Sequence, residues 1–257
     1  MLGFKKASVL FSAIIIMLMV LNIFVDFSAW VYVIAILFFL GIIIWGSARI
    51  NSGFFLPVVC NGSKNEKSIA ITFDDGPDAD MTLRILEILK ATNTPAAFFC
   101  IGKKVEMLPS IVKQIDMDGH LIGNHSYSHH FFFDLYSSTR IQTELNDTNK
   151  LVMQIADRNI RFFRPPYGVT TPNIARAVKN GSYHAIGWSV RSMDTVINDK
   201  EKLIKRTTGN LRAGDVILFH DTVELTVQVL QEFIEKVRMQ GFKIVRLDQL
   251  LKLQAYA

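Results

Sequence analysis

Two adjacent carboxylates, Asp74 and Asp75, close the apolar run Ile69-Ala70-Ile71-Thr72-Phe73, and Gly76-Pro77 turns the chain directly after them. A β-branched run that ends in a Gly-Pro turn reads as a strand delivering both acids to a loop. Side by side, two like charges disfavour each other's ionisation unless a cation holds them. A metal ion and an arginine are the cations on offer, and the chain downstream carries ligands for the first and a candidate, Arg164, for the second. His125 and His129 stand four residues apart, a spacing that on one helical turn points both imidazoles the same way. With Asp75 they make two histidines and one carboxylate, which leaves a fourth position for water, the layout of a catalytic rather than a structural zinc site. His130 would face about 100° away on such a turn and is expected at the surface. His120 and His184 lie in strand-like runs and are expected to be structural.

These residues need elements to position them. From Ser68 onward, short apolar runs alternate with longer helix-period segments. The pattern predicts strands over 68–73, 96–101, 120–123, 160–163, 183–189, 215–219 and 242–246. Helices are predicted over 80–91, 104–117, 138–156, 171–180, 199–210 and 222–240, with a last one near 248–254. Strict β-α alternation argues for a parallel α/β sheet, closed or nearly closed as a barrel, whose active edge is the C-terminal end of its strands. Five such ends carry reactive groups: Asp74 and Asp75; Asn124 through His130; Arg164-Pro165-Pro166-Tyr167-Gly168; Trp188 and then Asp194; and Leu218-Phe219-His220-Asp221.

Ahead of this domain, residues 7–25 and 27–45 are two apolar segments broken only by Asp26. As helices of that length they would span about 28 Å, close to the ~30 Å hydrocarbon core of a bilayer. Trp30, Tyr32 and Trp45 lie near segment ends, where interfacial aromatics are expected. Residues 1–50 therefore read as a transmembrane hairpin inserted in a lipid bilayer, 51–67 as a polar, Gly-containing linker, and 68–257 as the catalytic domain. Lys5 and Lys6 precede the hairpin, Arg49, Lys64 and Lys67 follow it, and no Lys or Arg lies between. The positive-inside rule then places both ends, and the domain, in the cytoplasm; if only one segment spans, the domain is extracytoplasmic.

The net charge is +5, with the basic residues scattered rather than gathered in an arm, so nucleic acid is not an expected partner. The two cysteines, Cys60 and Cys100, form no disulfide framework, and Cys100 sits in an apolar run as a buried thiol. Phe131-Phe132-Phe133 reads as buried core ahead of a sugar-stacking face.

Residues 68–250 resemble the polysaccharide deacetylase family, also called the NodB-homology domain or carbohydrate esterase family 4. Thr72-Phe73-Asp74-Asp75-Gly76-Pro77 is similar to its first motif, His125-Ser126-Tyr127-Ser128-His129 to its second, Arg164-Pro165-Pro166-Tyr167-Gly168 to its third and Leu218-Phe219-His220 to its fifth. The resemblance implies a distorted (β/α) barrel and metal-dependent hydrolysis of an N- or O-linked acetyl group on a sugar, with a carbohydrate as the partner. It implies that Asp75, His125 and His129 hold a divalent metal, zinc in the first instance and cobalt as an alternative. It makes Asp74 the catalytic base, held ionised by Arg164, and His220 the general acid, with Asp194 as the carboxylate that raises its pKa. A backbone N–H near Tyr167 would stabilise the oxyanion, and Leu218 would line the acetyl pocket. The fourth motif departs from the family: in Trp188-Ser189-Val190-Arg191-Ser192-Met193-Asp194-Thr195, Arg191 and Thr195 replace the usual Asp and Trp. Trp188 and its neighbours are therefore expected to shape a sugar groove unlike that of most relatives. Two other readings follow from the same residues, a deacylase or deformylase of a lipid-linked sugar and a non-catalytic, metal-stabilised glycan-binding module.

Overall fold

The computed structural model describes residues 3–257. Two helices come first, α1 (Phe4–Leu21) and α2 (Trp30–Ala48), with mean hydropathy 2.0 and 2.4 and nearly all of their surface exposed. They touch each other, with Phe11 stacked on Phe39 at 4.2 Å.

Eight strands follow: β1 (Ser68–Asp74), β2 (Ala96–Cys100), β3 (Leu121–Asn124), β4 (Phe162–Phe163), β5 (His184–Ala185), β6 (Val190–Arg191), β7 (Val216–His220) and β8 (Lys243–Ile244). All pair in parallel in the order β5-β4-β3-β2-β1-β7-β6, and β8 pairs with the first two residues of β1. Every residue of β1 is buried, because helices cover one face and the curled sheet encloses the other. Ile69, Ile71 and Phe73 pack outward among the helices, while Ala70 packs inward with Ala97, Phe99 and Val216.

The helices of the domain are α3 (Met81–Ala91), α4 (Gly102–Met107), α5 (Pro109–Met117), α6 (Ser138–Ala156), α7 (Pro172–Asn180), α8 (Lys200–Thr208), α9 (Glu224–Met239) and α10 (Leu247–Leu251). Ser137, Thr171 and Asp199 cap α6, α7 and α8 by accepting N–H groups of the first turn. The single helix predicted over 104–117 is two, broken at Leu108, because Pro109 has no N–H to continue the ladder and disfavours helical backbone before it. The strand predicted over 183–189 is cut to His184–Ala185, and the separate strand β6 follows it.

The barrel is a half-barrel: β5 and β6 end the sheet and do not pair. The stretch read as a polar linker fills that gap. Val59 donates to the Ala185 carbonyl at 2.9 Å, its own carbonyl accepts from Gly187 at 2.9 Å, and Gly62 donates to Gly214 at 2.8 Å. Phe54, Leu56 and Cys60 are buried in the same stretch.

Candidate active site

Asp74 is the last residue of β1 and lies in register with His220, the last of β7, and with Phe99 of β2. Asp75 follows with φ of 74°, a left-handed conformation rare for a residue with a side chain. That reversal sends the two neighbouring carboxylates to different partners. Gly76 completes the turn with its α-carbon against the Asp221 carboxylate, where no β-carbon would fit.

Asp74 is buried and accepts from Arg164 Nη1 at 2.6 Å. Arg164, wholly buried, also donates to Thr72 Oγ1 (2.8 Å) and to the carbonyls of Ile186 (3.2 Å) and Gly187 (2.8 Å), and it lies over the Phe99 ring at 4.1 Å. A planar fork with four of its five N–H groups engaged is fixed in place, so one carboxylate oxygen of Asp74 is fixed too. The other oxygen is 4.0 Å from His125 Nε2.

His125 and His129 are not on a helical turn. They lie on an irregular loop after β3, in which Ser126 (φ 63°) and His129 (φ 46°) are left-handed. The loop nevertheless brings both Nε2 atoms to one oxygen, Asp75 Oδ1, at 3.4 and 3.2 Å. It is held from outside the motif: Glu144 on α6 accepts from the Tyr127 and Ser128 N–H groups and the Ser128 hydroxyl, and Asn124 Oδ1 accepts from Ser126 N–H.

His125 Nδ1 is 2.8 Å from the Arg164 carbonyl, which can only accept, so Nδ1 carries the hydrogen and Nε2 offers a lone pair. Asp75 Oδ1 is buried with no hydrogen-bond partner. The ligand atoms of Asp75, His125 and His129 all lie within 4.8 Å of one another. Lone pairs gathered on one buried point repel unless a cation takes them up, and the three donors fit a divalent ion. Burial alone would raise the pKa of Asp75, but the neighbouring imidazoles of His125, His129 and His220 overcome it and hold the carboxyl well below its usual range. Burial above all depresses His129 to about 4, which keeps it a neutral donor.

Across the site, His220 Nδ1 meets Asp194 Oδ1 at 2.7 Å, and Asp194 Oδ2 accepts from the His220 N–H (2.7 Å) and the Thr226 hydroxyl (2.6 Å). Ser192 Oγ donates to Asp194 Oδ1 at 2.9 Å, and Met193 (φ 64°) turns the chain so that the carboxylate faces back to β7. Burial opposes charge on His220, yet the hydrogen bond to Asp194 outweighs it and raises the imidazole pKa. His220 Nε2 points into the site, 4.0 Å from Asp75 Oδ2. Leu218 lies two residues below on the same face of β7, buried. Tyr167 (φ 60°) is half exposed, its ring centroid 4.8 Å from that of His129. Trp188 is half-buried against Gly168, with the guanidinium of exposed Arg191 5.8 Å from its ring.

The other histidines stay apart from this cluster. His130 is exposed and stacks on Tyr136, His120 is buried with Nδ1 accepting from Ala96 N–H, and His184 lies edge-on to Phe162. Of the three consecutive phenylalanines read as core, only Phe133 is buried; Phe131 and Phe132 are exposed, because the loop turns there and offers one side to the interior.

Two residues at the site gave no signal in the sequence, and a third, Asp221, stands beside His220 at a strand end without a role. Lys104 donates to the Asp75 carbonyl at 2.7 Å, Glu144 fixes the histidine loop, and Asp221 is buried with its carboxyl pushed up to about 7 by desolvation. Lys104 and Glu144 reach the site from helices far along the chain, and no local pattern marks such a residue.

Residues 61–186 match a family model described as Polysaccharide deacetylase. The chain is 32% identical over 196 residues to a peptidoglycan-N-acetylglucosamine deacetylase of Bacillus cereus, covering 75% of this chain and 71% of the relative. It is 36% identical over 160 residues to a chitooligosaccharide deacetylase of Azorhizobium caulinodans, covering 62% of this chain and 76% of that one. Its fold is similar to the crystal structure of the Bc1960 peptidoglycan N-acetylglucosamine deacetylase, with a TM-score of 0.74 and 28% identity over 83% of this chain and 97% of that one.

Proposed function

The chain belongs to the polysaccharide deacetylase family and is a sugar deacetylase, and from that premise we propose that it is a membrane-tethered enzyme that hydrolyses the N-acetyl group of a glycan with Asp74 as base and His220 as acid. The observation that carries this reading is the convergence of Asp75, His125 and His129 on one point, with Asp74 and His220 on either side of it.

Asp75, His125 and His129 would hold the cation, with zinc the favoured ion. A divalent cation bound there supplies Lewis-acid charge that acidifies a water and polarises the acetyl carbonyl. Asp74 takes the proton from the water as its oxygen bonds to the acetyl carbon, and Arg164 keeps the carboxylate aimed. A backbone N–H near Tyr167 donates to the oxygen that gains charge. His220, its Nδ1 committed to Asp194, gives the Nε2 proton to the amine nitrogen as the carbon–nitrogen bond breaks. Acetate and a free amino sugar are the products. Leu218 packs beneath the acetyl methyl group, and Trp188 with Arg191 borders the sugar.

The relatives suggest a peptidoglycan or chitooligosaccharide-like N-acetylglucosamine chain as substrate. A lipid-linked sugar is the second reading. It is favoured by Lys5, Lys6 and Arg49, which flank the hairpin on one side and point to a cytoplasmic domain. Acetate release from N-acetylglucosamine oligosaccharides by the full-length chain in detergent tests the activity: no release above the Asp74→Asn background would overturn it. A reporter fused after Ala257 that is active only outside the cell would remove the second reading.

A further inference from the structure

The hairpin and the mouth of the site are joined by a short, continuous set of contacts. At the end of α2, the Ser47 hydroxyl donates to the Thr170 carbonyl at 2.7 Å and the Thr170 N–H returns to the Ser47 carbonyl at 3.0 Å. Gly46 lies flat on the Phe54 ring, and Phe4 at the start of α1 donates to the Phe54 carbonyl at 2.9 Å. Both ends of the hairpin are thus seated on the same part of the domain. Thr170 is three residues from Tyr167, at most about 10 Å of chain. Asn173 on α7 donates to the Tyr136 carbonyl at 3.0 Å and so ties the loop after the histidine motif to the same base.

That loop is built with two sides. Phe133 and Tyr136 are buried beside Leu56 and Ile174, while Phe131 (71% exposed), Phe132 (52%) and Leu135 (71%) point out. Tyr167 adjoins them, with ring centroids 6.2 Å from Phe131. Beyond residue 50, Phe131, Phe132 and Tyr167 are the only exposed large aromatics among the described residues, and they form a single patch. Exposed aromatic and aliphatic side chains in one patch mark a contact surface. The hairpin that crosses the bilayer ends one contact layer away, and exposed Lys5, Lys6 and Arg49 at its base suit anionic headgroups.

We infer that Phe131, Phe132, Leu135 and Tyr167 rest in the headgroup region of the bilayer that the hairpin spans, so that the active site opens along the membrane surface and acts on sugars held there by a lipid. The inference depends on the hairpin being a membrane anchor, as proposed above.

Thiol labelling tests it on the full-length chain, because both native cysteines are buried. Phe132→Cys and Leu135→Cys, each carrying an environment-sensitive fluorophore, are reconstituted in vesicles of phosphatidylethanolamine and phosphatidylglycerol with brominated acyl chains. Met239→Cys, exposed at the end of α9, is the reference. The loop labels should shift to the blue and be quenched severalfold more than the reference. Equal quenching in a chain that stays in the vesicles after alkaline carbonate overturns this inference alone; release of the chain by carbonate overturns the anchor and this inference together. A second arm uses Phe131→Ser with Phe132→Ser. Deacetylation of an N-acetylglucosaminyl lipid in vesicles should fall about tenfold while soluble oligosaccharide turnover is kept, since interfacial anchoring serves only the first. An equal loss on both substrates would assign the two rings to the sugar and overturn the inference.

Discussion

Asp74 and His220 are register partners at the ends of two adjacent parallel strands, so the proposed base and the proposed acid are held by the backbone ladder of the sheet itself. Each is tied to one further residue of opposite charge, Asp74 to Arg164 through one 2.6 Å contact and His220 to Asp194 through its ring and its backbone N–H, both at 2.7 Å. The face each leaves free looks toward the Asp75 cluster.

Removing either proton-transfer group should therefore cost rate, and Asp74→Asn, which leaves buried Arg164 without its carboxylate, should cost stability as well. Asp74→Asn and His220→Ala are each expected to lower kcat by about 10²–10⁴ with little change in KM. Steady-state kinetics on an N-acetylated oligosaccharide, with circular dichroism as the folding control, checks this. A loss of only a few-fold in either variant would reassign the roles.

Chelation should remove activity and thermal stability together. Asp75 Oδ1 is buried without a hydrogen-bond donor, so a bound ion stabilises the folded chain directly. At an ion concentration about 1,000 times Kd, the gain is about 4 kcal/mol. Treatment with a chelator is expected to lower Tm, and zinc or cobalt to restore Tm and turnover. In Asp75→Asn, added metal should leave Tm unchanged.

Arg164 offers a test of the buried pair. Arg164→Leu leaves the Asp74 carboxylate buried without its partner and should cost about 3–5 kcal/mol. Adding Asp74→Asn removes the orphaned charge, so the double variant should be more stable than Arg164→Leu alone. Additive losses in denaturant titrations would show that the two side chains are uncoupled.

His120 gives the domain a pH dependence away from the site. Desolvation depresses its folded pKa to about 4, against an ordinary value of 6.5. The unfolded chain therefore binds a proton first, so this contribution is complete above about pH 6.5 and falls away as pH drops to about 4. The difference is about 3 kcal/mol. The stability advantage of the parent over His120→Gln should shrink by that amount, roughly 6–12 °C in Tm, across the same window. A constant gap would sink the prediction.

Much of the site was legible because chemistry in this fold gathers at strand ends, and residue type alone marks Asp74, His125, Arg164 and His220 there. Strand and helix order was legible for the same reason, from short apolar runs set between amphipathic ones. The local geometry was not. A four-residue histidine spacing suggests a helical turn, but the left-handed backbone at Ser126 and His129 depends on Glu144 and Asn124, which lie outside the motif's own pattern. The stretch before β1 suggests solvent through its Asn and Gly residues, although its apolar members, Phe54, Leu56 and Cys60, are buried. The break at Leu108, by contrast, is written in the sequence at Pro109.

The seam between β5 and β7 has a practical result. A soluble version of the enzyme cut at Ser68, where the alternation of strands begins, would lose Val59 and Gly62 and with them the hydrogen bonds that cap two open sheet edges. Bare edges of that kind recruit other chains. Fragments starting upstream of Phe54 should stay monodisperse where those starting at Ser68 precipitate, so the catalytic unit begins at the foot of the two apolar helices.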